Sequence, residues 1–125
     1  DSLFFDSHAM DAAIDTSREL HERFLKGYES CQWAPSSYNG QTTRGVVIAD
    51  NNAVRRIDFM AVTSAKYYAA IASGIWCANW ELSCSELKIE GKFARLPDSE
   101  IGLSESQKNS GTPIYDMSWV VNEKE

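Results

Sequence analysis

Apolar residues in the first third of the chain recur at helical intervals. Leu20, Phe24, Tyr28 and Cys31 are separated by four, four and three positions, which lines them along one helix face. The pattern predicts helix from residue 8 to about residue 32. Thr16-Ser17-Arg18-Glu19 has the T-x-x-E form of a capping box, so the main helix is expected to start there, with Met10 and Ile14 in a preceding turn or in a longer, bent helix. Upstream, Leu3-Phe4-Phe5 form a short apolar patch that needs somewhere to dock.

After Trp33 the pattern changes to a polar loop, "APSSYNGQTT", which is long for a simple helix-to-strand connection. "RGVVIA" (44–49) then reads as a strand, "DNN" (50–52) as a turn, and "AVRRIDFMAV" (53–62) as a second strand with Ile57, Phe59 and Ala61 on one side. Two such runs around a short Asp/Asn turn predict a β-hairpin. The next segment predicts a long helix over residues 67–87. Ile71, Ile75, Ala78 and Leu82 make one stripe, expected to cover the sheet, and Trp76 and Trp80 make a second. Gly91 is expected to terminate this helix. "KFARL" (92–96) reads as a strand stopped by Pro97, residues 98–113 as a mobile loop, and "IYDMSWVV" (114–121) as a last strand. The expected fold is one α+β domain over residues 1–125, with a mostly antiparallel sheet of about four strands covered by two main helices.

Composition narrows the classes. At 125 residues, 43% hydrophobic and 24% charged, the chain can bury a core of its own. A net charge of −6, with no basic run longer than Arg55-Arg56, argues against nucleic acid and anionic lipid as partners. The longest uncharged run, residues 67–80, is short of the ~20 residues a membrane helix needs, so no transmembrane segment is expected. The three cysteines, Cys31, Cys77 and Cys84, include no CxxC pair. Cys77 and Cys84 would stand about 10 Å apart on one helix, too far to bridge, which points to buried thiols in a reducing, intracellular compartment. The sequence begins at Asp1 without methionine or signal peptide, which is expected of a processed chain or a fragment, for instance an organellar subunit of a mitochondrion or plastid.

No metal-ligand spacing involves His8 or His21, and no P-loop, G-x-G-x-x-G or G-x-S-x-G is present. Ser36 and Ser37 lack an evident His–Asp partner, so a hydrolase triad is not expected. The loop after Trp33 is the segment with binding chemistry: hydroxyls, amides and backbone N–H groups suited to a polar or anionic ligand.

"APSSYNGQTTRGVVI" resembles the signature of the FMN-dependent nitroreductase family, A-P-S-S/A-x-N-x-Q-P-W-R followed by a strand. Pro35, Ser36, Ser37, Asn39, Gln41 and Arg44 match it, while Thr42 and Thr43 stand in place of Pro-Trp. "SGIWCANWELSCSELKIEGKF" is similar to the family's long helix through Gly74, Ile75, Glu81, Leu82, Glu86, Leu87 and Gly91. "SLFFDSHAM" is similar to the segment that opens the second half of the tandem-half nitroreductases, and "YDMSWVV" to the terminal strand. The resemblance covers almost the whole chain but only the second half of that fold.

It implies that Ser36, Ser37, Asn39, Gln41 and Arg44 form an FMN loop, here a vestigial one. The family's Arg-rich phosphate-binding segment is missing, and "DSHAMDAAID" near its expected place is acidic. The resemblance also implies that the long helix lies at a dimer centre. The expected function is therefore non-catalytic: an accessory subunit of a larger assembly, such as a respiratory or photosynthetic complex, with no catalytic residues, no metal and no cofactor. Its partners are expected to be other subunits or a second copy, met through the 67–87 helix with Trp76 and Trp80 as interface residues, which should meet another polypeptide or the chain's own N-terminal segment. The alternative is an NAD(P)H-using FMN oxidoreductase whose phosphate-binding half comes from another chain or a missing N-terminal segment.

Overall fold

The computed structural model describes residues 3–32, 43–50, 53–62, 66–110 and 114–121. The elements run β1 (Phe4–Phe5), a 3-10 turn (Glu19–Phe24) continuing into α1 (Leu25–Gln32), β2 (Thr43–Ala49), β3 (Val54–Ala61), α2 (Lys66–Glu86), β4 (Gly91–Ala94), α3 (Asp98–Ile101), α4 (Glu105–Ser110) and β5 (Ile114–Val121). The five strands form one mixed sheet in the order β1-β2-β3-β5-β4, an α+β arrangement. Only β1 runs parallel to its neighbour, placing Phe4 beside Gly45; the other pairings are antiparallel.

β2 and β3 form the expected hairpin, paired from Thr43↔Ala61 to Ala49↔Val54. Asp50 helps hold its turn, accepting the Ala53 N–H on Oδ1 at 3.1 Å and the Arg55 Nε–H on Oδ2 at 2.7 Å. β3 lies at the centre of the sheet and is buried on both sides: Ile57 and Phe59 face one way, Asp58 and Met60 the other. Against β5 the register shifts between Phe59, opposite Met117, and Met60, opposite Tyr115, which leaves Asp116 as the extra residue of a bulge.

The two sides have different covers. One carries the main core, in which Ile57, Phe59 and Trp119 of the sheet meet Phe24 and Tyr28, and Trp76 and Trp80 of α2. Phe4 stacks on Trp76 at 5.3 Å, and Phe24 stacks on Trp80 at 5.7 Å with rings inclined by 10°. The other side buries Val46, Met60 and Tyr115 beneath Ile101 of α3, with Met10, Leu96 and Leu103 at the margin.

Several expectations need correction. The 98–113 loop contains two short helices, α3 and α4; residues 111–113 lie outside the described residues. Gly102, left-handed at φ 66°, closes α3 with its N–H on the Asp98 carbonyl. The Thr16–Glu19 capping box does not start the first helix. Arg18 is the N-cap without a side-chain bond, while Asp15 accepts from the Ser17 N–H and hydroxyl.

Nor does Gly91 end α2, which stops at Glu86. Lys88 takes the left-handed position at φ 60°. The bonds Ile89 N–H to Cys84 carbonyl, 2.8 Å, and Lys88 N–H to Ser85 carbonyl, 3.1 Å, complete a Schellman closure. Gly91 instead opens β4 beneath the Trp119 indole, where any Cβ would overlap the ring.

The face assigned to α2 is also overturned. Ala78 and Leu82 are exposed, Leu82 by 61%, and Ile75 is half-buried, whereas Trp76, Trp80, Ser83 and Cys84 are buried. The Ile71 side chain lies outside the described residues. The physical reason is area: two indoles remove more apolar surface from water than the Ile/Ala/Leu stripe does, and Phe4, Phe24 and Tyr28 give them a second layer. No helix among the described residues is long and apolar enough to cross a membrane.

Candidate functional site

The side of the sheet away from α1 and α2 carries a buried charge. Asp58 occurs in the run Arg56-Ile57-Asp58-Phe59, where strand alternation turns it opposite to the aromatic core. Its side chain is wholly buried. Four hydrogen bonds reach the carboxylate, two on each oxygen. Ser118, its cross-strand neighbour, donates Oγ–H to Oδ1 at 2.5 Å, and Arg56 Nε donates to the same oxygen at 3.0 Å. His8 Nε2 reaches Oδ2 at 2.7 Å and Arg56 Nη2 donates to it at 3.2 Å. Arg56 can do this because it sits two positions away on the same strand face, so its planar fork meets both carboxylate oxygens.

An outer ring supports these partners. Ser118 gives its one proton to Asp58, so the Tyr115 hydroxyl 2.7 Å away must donate to Ser118 Oγ, while accepting the Leu96 N–H at 2.9 Å. Gln107 of α4 donates Nε2–H to the His8 carbonyl at 2.7 Å. Arg56 donates from Nη2 to the Glu100 carbonyl of α3 at 3.1 Å. The centre therefore binds the N-terminal segment, β3, β5, α3 and α4 to one another. Burial alone would raise the Asp58 pKa, but the hydrogen bonds from His8, Ser118 and Arg56, with the guanidinium charge, outweigh it and hold the carboxyl below its ordinary value.

The chemistry of this arrangement is that of a lock. A carboxylate offers about four acceptor directions, and here all are taken by the chain's own donors. His8 and Arg56 keep only 16% and 17% of their side chains exposed. Among the described residues no group of three His, Cys, Asp or Glu side chains is placed to hold a metal ion. The cysteines are held in their thiol form. Burial, with nearby carboxylates for Cys77, pushes Cys77 and Cys84 up to about 12, and burial raises Cys31 further.

Of the residues proposed from sequence, Ser36, Ser37, Asn39 and Gln41 lie outside the described residues. Arg44 is on β2, half-buried, with Nη1 donating to the Thr43 carbonyl at 2.9 Å and its pKa lowered by desolvation. Trp76 and Trp80, expected at an interface, are 2% and 0% exposed and belong to the core of this chain. Of the two neighbours expected for them, another polypeptide or the chain's own N-terminal segment, the N-terminal segment lies there through Phe4, together with α1. Sequence reasoning missed His8, Arg56, Asp58, Tyr115 and Ser118. The available signal was the charge of Asp58 between Ile57 and Phe59 in a strand flanked by others. No known protein family, curated protein or solved structure matches this chain.

Proposed function

We propose that the chain is a nitroreductase-like half-domain that performs no chemistry of its own and serves as an accessory, structural part of a larger protein assembly. The observation that carries this reading is the closure of the Asp58 centre. Its donors and acceptors are turned on one another and tie five segments together, an arrangement suited to holding shape and unsuited to exchanging protons with a substrate. The thiols support it, since groups titrating near 12 are not nucleophiles at neutral pH.

The partner surface in this reading is the outward side of the two main helices. Leu82, Leu87 and Leu25 are 61%, 45% and 41% exposed. Leu25 and Leu87 share a surface hollow with Ile89, and Ile89 borders the groove beside Leu82. Neighbouring exposed leucines of this kind mark contact surfaces. Native mass measurement tests it. The unmodified chain should run above its 14.0 kDa monomer mass or co-purify with a partner, and Leu82→Asp with Leu87→Asp should abolish this without changing the melting temperature. Unchanged association in the double variant would refute the surface.

One observation favours the oxidoreductase alternative. Among the described residues Thr43 Oγ1 is buried without a hydrogen-bond partner, and Thr43 lies between Gln41 and Arg44, two of the residues that match the FMN loop. In that reading Ser36, Ser37, Asn39 and Gln41 contact FMN, and the purified chain carries a flavin absorption band.

A further inference from the structure

A cavity of about 290 Å³ lies between the β4–α3 connection, α4 and the start of β5. The Asp58 centre borders it through Tyr115 but does not fill it. Buried Ile101 and Tyr115 supply apolar and aromatic surface, joined by Leu103 and Ile114. Arg95 and Lys108 contribute two positive charges against one negative from Asp98.

Arg95 is the informative residue. Its guanidinium lies 5.1 Å from the centroid of the Tyr115 ring, and Nη2 makes one long bond, 3.5 Å, to the Tyr115 carbonyl. Among the described residues it has no carboxylate partner, although the chain has 18 acidic and 12 basic residues. Among the described residues Lys108 meets only Glu105, at 3.8 Å in an exposed pair. An unpaired guanidinium fork beside a small apolar cavity matches a molecule with a carboxylate at one end and a hydrocarbon body at the other.

We propose that this cavity binds a small apolar carboxylic acid, a single-ring aryl acid or a short acyl chain. The body packs on Ile101, Leu103 and Tyr115, and the carboxylate pairs with Arg95, with Lys108 in support. The volume is at the small end for ligand pockets, which start at roughly 300 Å³, so a flavin or dinucleotide does not fit. The inference is independent of the accessory-subunit reading.

The test is an NMR titration of the full chain with benzoate and hexanoate, beside benzyl alcohol and hexanol. The acids should shift the Ile101, Leu103 and Ile114 signals saturably and bind roughly tenfold more tightly than the alcohols. Arg95→Met should weaken the acids about tenfold and leave the alcohols unchanged. Equal binding of acids and alcohols, acid binding unaffected by Arg95→Met, or no saturable shift at millimolar concentration would each overturn the proposal. If Arg95→Met does not fold, the acid–alcohol comparison on the unmodified chain decides alone.

Discussion

Replacing Asp58 by Asn should destabilise the fold by about 3–5 kcal/mol, the usual loss when one partner of a buried ion pair is removed. The substitution keeps the shape, so no cavity contributes. With the amide oxygen facing Ser118 Oγ and Arg56 Nε, the amide nitrogen faces Arg56 Nη2, donor against donor, while His8 Nε2 can accept from it only after the imidazole proton moves to Nδ1. One of the four hydrogen bonds is then lost outright, at about 1.5–3 kcal/mol for a bond to a charged group, and the other three lose the carboxylate charge that strengthened them, which together is consistent with the range above. Among the described residues Arg56 then keeps only Glu100 as a counter-ion, at 3.8 Å with a carboxylate that is 58% exposed. Equilibrium urea unfolding at pH 7 measures the difference, with the m-value checked for constancy.

The pH dependence supplies a second signature. The folded-state pKa of Asp58 is depressed below 3.8. Its contribution is thus fully present above that value and is lost as pH falls below it, because the unfolded chain takes the proton first. The stability gap between the unmodified chain and the Asp58→Asn variant should therefore narrow below about pH 4. A loss under about 1 kcal/mol at pH 7 would show that the centre does not hold the layers together.

Trp80→Ala should cost about 3–5 kcal/mol, seen as a sharply lowered melting temperature, because a wholly buried indole is removed from contact with Phe24, Phe59 and Trp119; an unchanged melt would contradict its place in the core. Gly91→Ala should lower stability by about 1–3 kcal/mol in the same assay, since the new Cβ would meet Trp119 and the Val120 carbonyl. His21 Nδ1 lies 2.9 Å from the Tyr28 hydroxyl, and burial, followed by the charge of Arg18, holds its pKa below 6.5. The unfolded chain protonates this histidine first, so stability should fall as pH drops below 6.5, and His21→Gln should flatten that part of the urea-unfolding profile.

The elements most legible in the sequence were those whose periodicity coincides with burial. The β2–β3 hairpin and β5 follow their apolar runs closely, because strands near the centre of a sheet need long β-rich segments. Elements fixed by tertiary contact were harder to read. β1 is two residues long and exists because Phe4 docks over Gly45 and Trp76. α3 and α4 form in a polar stretch where Ile101 alone among their described side chains is buried. On α2, two stripes compete, and spacing cannot reveal that Phe4, Phe24 and Tyr28 arrive to bury the indoles. The Asp58 centre was hidden for a related reason. A charged residue alternating with Ile57 and Phe59 reads as a solvent-facing position until His8, fifty residues away, and α3 are known to cover it.

The proposal that this chain is a nitroreductase-like half-domain without flavin chemistry is tested most directly by mixing the purified chain with excess FMN, separating it by gel filtration and recording the visible absorption of the protein peak. A protein peak without a flavin band is the expected result. A stoichiometric band co-eluting with the chain would contradict it and establish the FMN-binding alternative.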